Sequence, residues 1–135
     1  MADTELFPSR PDNSRTRRLV NWAAVLLWAG IIFNLSSVSD FGMKTTPKSL
    51  SVLAHAFEFA VLTILLIRAL RGERYAVPRA VWMAALLALI YAGSDEYHQS
   101  FVANRHPSVF DLLIDAAAIG AVAIVALTRE QPRPS

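Results

Sequence analysis

The sequence predicts an all-α fold, an integral membrane four-helix bundle with both termini cytoplasmic. Three observations carry that reading. Of the 135 residues, 54% are hydrophobic and 18% charged, against roughly 45–50% and 25% in soluble domains. The apolar residues come in four long blocks rather than scattered along the chain. Lysine and arginine collect in the segments on one side of those blocks, the bias expected of cytoplasmic loops.

The elements follow in order. Residues 1–18 are polar, carry Pro8, Pro11 and Asn13, and lack the apolar core and cleavage site of a signal peptide. They read as a disordered cytoplasmic tail ending in Arg15, Arg17 and Arg18. Residues 19–127 read as one four-helix transmembrane domain, and 128–135 as a second cytoplasmic tail. The first block runs from Leu19 to about Leu35 and the second from about Leu50 to Leu70. The third runs from about Ala80 to Ala92 and continues as helix toward Gln99, and the fourth runs from Ser108 to Leu127. A helix of about 20 residues rises roughly 30 Å, the thickness of the hydrocarbon core. Helix is preferred over strand because the blocks are long, rich in Ala and Leu, and not alternating. A soluble helix needs a polar face, and stretches such as WAAVLLWAGIIF and AAAIGAVAIVAL have none.

Orientation follows from the basic residues. The N-terminal tail, the second connection and the C-terminal tail hold ten of the thirteen Lys and Arg, and Lys44, Lys48 and Arg105 are the other three. The net charge of +2 and the lack of a basic patch interleaved with aromatics argue against nucleic acid as a partner. With no cysteine there is no disulfide, thiolate metal site or cysteine nucleophile. No phosphate-cradling loop or dinucleotide fingerprint is present, so no cofactor is assigned.

The chemistry gathers at one end of the bundle, expected to be the outer one. His55 and Glu58 stand near the start of the second helix, and Asp95, Glu96, His98 and Gln99 end the third. Arg105 and His106 lie in the last loop, with Ser108 just beyond them. Asp111 and Asp115 fall in the first two turns of the fourth helix. Ionisable groups in a membrane are costly and usually face the bundle interior or a water-filled cavity. His55 with Glu58 and Asp111 with Asp115 each share a helix face. His55, Asp95 or Glu96, and Asp111 are therefore expected to converge in one polar layer. Arg105, beside so many acids, is expected to pair with a carboxylate.

Three chemistries fit those residues. They can hold one another as a structural knot. They can bind a divalent metal through His55, a second imidazole and carboxylates, although His-x-x-Glu reverses the order usual in bundle metal centres. Or His55, oriented by a carboxylate, can do acid–base work with Glu58, Asp95 and Glu96 as the other catalytic candidates. Gln99, Arg105, Ser108, Asp111 and Asp115 are then the binding candidates.

The stretches HAFEFAVLTILL and SDEYHQSFVANRHPSVFDLLIDAAAIG resemble the VanZ-like family of small bacterial membrane proteins. The shared pattern is His55, Phe59, Asp95, Glu96, Gln99, Arg105, Ser108 and Asp111, and it spans about Leu19–Leu127. This chain departs by having Asp115 where Asn is common, Ala118 where Gly is common and Val52 where Lys is common. The resemblance implies the bacterial cytoplasmic (inner) membrane, a role at the cell envelope, and a link to low-level resistance to teicoplanin, a glycopeptide with a lipid tail. It implies as partner a lipid-linked envelope ligand or lipid-tailed glycopeptide, beside the lipid bilayer expected from the apolar blocks and a homo-oligomer expected as a further partner. Binding of such an amphiphile is the leading expectation. A membrane-embedded hydrolase or transferase acting on a lipid-linked substrate is the alternative, and a small proton-coupled transporter a third.

Overall fold

The computed structural model describes residues 13–38, 48–103, 105 and 107–130, apart from the side chains of Lys48 and Ser49. Ser39, Asp40, Lys44 and His106 lie outside the described residues, as does most of the N-terminal tail. The described chain is four helices: α1 (Ser14–Ser37), α2 (Lys48–Gly72), α3 (Val77–Gln99) and α4 (Val109–Thr128). All four contain stretches long and apolar enough to cross a membrane.

Each helix runs past its apolar block. The first starts at Ser14, so Arg15, Arg17 and Arg18 sit on its opening turns. Arginine is a good helix former, and backbone hydrogen bonding continues where the hydropathy signal stops. The connection from α2 to α3 is tight, with Arg74 in the left-handed region at φ 67°. Pro78 opens α3 where its missing N–H costs nothing.

Helices α2, α3 and α4 pack against one another, while α1 packs on α2 and α3 and makes no contact with α4 among the described residues. The interior face of α3 is a seam of alanines, Ala80, Ala84, Ala88 and Ala92, each with no exposed surface. Four-residue spacing keeps these on one face, and small side chains there let neighbouring backbones approach closely. Phe59, Leu62, Thr63, Leu66 and Leu70 of α2 fill the space opposite, with Ile119 and Ala123 from α4 and Ile32 from α1. The outward faces are apolar too: Leu26, Leu27, Trp82, Ile90, Leu113 and Ile124 are all exposed. Apolar surface of that extent is the lipid-facing side of a membrane bundle.

The two ends of the bundle differ. At the end carrying the first residues of α1 and the last of α4, polar contacts are peripheral. Glu73 accepts from Arg18 Nη1 at 3.4 Å and from Trp22 Nε1 at 3.2 Å, and Arg68 Nε donates to Asn21 Oδ1 at 3.0 Å. At the opposite end the polar groups turn inward.

Candidate functional site

The inward seams of three helices all end in a titratable residue at the same end of the bundle. In α3 the four-residue repeat of alanines, continued from Ala92, arrives at Glu96. In α4 the seam of Ala123 and Ile119 arrives at Asp115, and in α2 the seam through Phe59 arrives at His55. Their exposures are 8%, 1% and 6% respectively. One potential ligand atom from each lies within 4.8 Å of the other two.

Within this trio His55 Nδ1 and Asp115 Oδ1 are 3.2 Å apart. Both atoms are buried, and neither has a partner other than the other. Glu96 Oε1 is buried without a partner. Its other oxygen, Oε2, accepts the backbone N–H of Ser108 at 2.8 Å. Ser108 is the N-cap of α4, its hydroxyl accepting from the Asp111 N–H at 3.4 Å. An acidic residue three positions after the cap often reaches back to the cap's own N–H. Here Glu96 of α3 takes that N–H, which ties the end of α3 to the start of α4. The Ser-x-x-Asp signature thus acts first as a helix start that aims Asp115 inward one turn later.

The remaining candidates divide. Asp95 is buried, with Oδ2 accepting from Gln99 Nε2 at 2.9 Å and Oδ1 left without a partner. Gln99 is therefore the clamp on Asp95. Glu58 and Asp111 are half-buried and lie outside the trio. Of the two α4 acids expected in the layer, Asp115 stands against His55, and Asp111, one turn nearer the helix start, lies outside the trio. His98 faces α1: its Nε2 is 3.0 Å from Ser37 Oγ and its ring stacks on Phe33 at 4.4 Å. No second imidazole joins His55 among the described residues.

Arg105 departs from expectation. Its Nη2 donates to the carbonyls of Leu35 and Val38 at 3.3 and 3.4 Å. No described carboxylate lies within 4.0 Å of it, since the ion pairs among the described residues are Arg18–Glu73 and His55–Asp115. The physical reason is the end of α1, whose last carbonyls carry the negative end of the helix dipole and keep acceptor capacity, Leu35 O taking only a long 3.4 Å bond from the Val38 N–H. The loop before α4 lays Arg105 across them. The buried acids are consequently left without a described Lys or Arg.

A model of the VanZ/LLP1 family matches residues 7–129. This chain belongs to the VanZ-like family. The match takes in all four helices, so the VanZ-like domain of this protein is the multi-pass membrane bundle itself. No curated protein and no solved structure matches the chain. For this VanZ-like protein the function therefore has to be argued from the polar layer. Two contacts that the sequence pattern gave no reason to single out help set that layer's floor. Tyr91 Oη donates to the Ala29 carbonyl at 2.6 Å, and Trp28 Nε1 donates to the Glu58 carbonyl at 2.9 Å. They hold α1 onto α3 and α2 just below His55 and Glu96.

Proposed function

We propose that this VanZ-like protein acts at the bacterial cell envelope by binding the polar head of an amphiphile at the His55–Glu96–Asp115 end of its bundle. The ligand is a lipid-linked envelope precursor or a lipid-tailed glycopeptide of the teicoplanin kind. The observation that carries this reading is a layer of four buried polar atoms: Asp95 Oδ1 and Glu96 Oε1 have no partner, and His55 Nδ1 and Asp115 Oδ1 have only each other, 3.2 Å apart. An unpaired buried polar atom costs about 1–3 kcal/mol, and more when charged. A bundle built for stability alone gains by replacing such groups with apolar ones. Retaining four together is accounted for when a ligand supplies the missing partners. The positive-inside bias of the arginines supports placing this end outside, where the head groups of the outer leaflet lie.

An acid–base role is the second reading, favoured by one observation. His55 stands 3.2 Å from Asp115, the placement that orients an imidazole as a general base.

The test uses a sensitive host exposed to a lipid-tailed glycopeptide and, separately, to one without the tail. The wild-type chain is expected to protect against the tailed compound, and His55→Gln and Glu96→Gln to insert normally yet lose protection. Full protection by both variants at wild-type expression overturns the reading. So does wild-type protection that ignores the tail.

A further inference from the structure

We propose that His55, Glu96 and Asp115 bind one divalent transition-metal cation of the zinc class. The proposal goes beyond the ligand reading, since it concerns what the three side chains hold whether or not an amphiphile is present.

Geometry comes first. A zinc ion with ligands at about 2.0–2.1 Å in tetrahedral array sets neighbouring donor atoms about 3.3 Å apart. His55 Nδ1 and Asp115 Oδ1 are 3.2 Å apart. That spacing suits a direct His–carboxylate pair, and equally two ligands of a shared ion. A carboxylate oxygen of Glu96 completes the set from a third helix, and Glu96 Oε1 is buried without a partner. Its other oxygen is fixed by the Ser108 N–H at 2.8 Å. A ligating carboxylate held by its second oxygen is a common outer-shell feature of metal sites.

Charge points the same way. Glu96 and Asp115 are at least nine-tenths buried, and Arg105, the cation expected to neutralise them, sits on carbonyls of α1. A neutral imidazole, two carboxylates and a divalent cation sum to zero net charge, removing most of the cost of burying the acids. The donor set then selects the ion. Magnesium and calcium prefer all-oxygen shells, whereas an imidazole with carboxylates suits zinc and its neighbours. Three protein ligands leave a fourth position open, as in catalytic rather than structural zinc sites.

The experiment uses the untagged full chain purified in detergent, stripped with EDTA, and titrated with zinc, manganese or magnesium chloride. Bound metal is measured by elemental analysis and thermal stability is followed in parallel. The expected result is about one zinc per chain, a higher Tm with zinc and no response to magnesium. His55→Gln, Glu96→Gln and Asp115→Asn should each weaken zinc binding by more than ~100-fold, since even outer-shell changes cost 10–100-fold. Glu73→Gln, at the opposite end, should bind as the wild type does. Sub-stoichiometric zinc and manganese on the wild-type chain, with one Tm in metal and in chelator, overturns the proposal even if no variant folds. Stoichiometric binding that survives all three substitutions places the metal elsewhere and also overturns it. Stoichiometric zinc binding in a wild-type chain that gives no glycopeptide protection refutes only the proposed function.

Discussion

Glu96 gives its two carboxylate oxygens different surroundings, which makes its substitutions separable. Oε2 accepts the Ser108 N–H at 2.8 Å at the N-cap of α4, and Oε1 is buried without a partner. In Glu96→Gln one carbonyl oxygen remains for the Ser108 N–H. The charged-acceptor bond, worth about 1.5–3 kcal/mol, becomes a neutral one worth about 0.5–1.5. Removal of an uncompensated buried charge offsets part of that loss. The net change should stay within about 1 kcal/mol. In Glu96→Ala the acceptor disappears, and a half-buried N–H at a helix start loses its partner, at about 1–3 kcal/mol. The tie from α3 to α4 goes with it. Glu96→Ala should therefore lie about 2 kcal/mol below Glu96→Gln in stability. The assay is reversible unfolding in mixed detergent micelles followed by far-UV circular dichroism, with chelator present so that bound metal contributes nothing. Equal stabilities for the two variants would refute the reasoning, because the Ser108 contact would then contribute nothing.

Arg105→Ala should cost about 1 kcal/mol in the same assay, the worth of two long bonds to the exposed end of α1. A loss of about 3–5 kcal/mol would reveal a buried ion pair instead. Ala88 has no exposed surface in the α3 seam, so Ala88→Leu should cost about 1–3 kcal/mol or more by overpacking; tolerance of leucine there would mean that the helices do not meet on this face. A reporter active only outside the cytoplasm, fused after Ser135, should stay inactive, and activity there would reverse the proposed orientation.

Much of the architecture was legible because hydrophobic length survives without tertiary information. The four helices fall on the four blocks, with ends displaced where polar residues continue the backbone bonds, as at Ser14–Arg18, while α3 ends at Gln99 as its polar extension suggests. The candidate layer was legible as a set of residues but not as a set of contacts. Asp95 and Glu96 are adjacent, and the clue to which one faces the centre is the alanine repeat at 80, 84, 88 and 92, whose next step is Glu96. Asp111 and Asp115 share a face, so the periodicity of α4 cannot rank them. Their depth relative to His55 depends on where the Ser108 cap starts the helix. Arg105 departs from the expected carboxylate pairing because a loop cation takes its partner from the path of the loop, and charge counting does not see the acceptor carbonyls at the end of α1. His98 was counted with His55, but its position on α3 turns it toward Phe33 and Ser37.

The central claim is that α2 and α4 present His55 and Asp115 to each other inside the bundle. The absence of native cysteine allows a direct measurement. His55→Cys with Asp115→Cys, in membranes treated with a short bifunctional thiol reagent, should cross-link efficiently within one chain. Leu53→Cys with Leu113→Cys, on exposed faces of the same two helices, should not. Cross-linking of the 53–113 pair without the 55–115 pair would rotate both helices away from the arrangement described, and would remove the site.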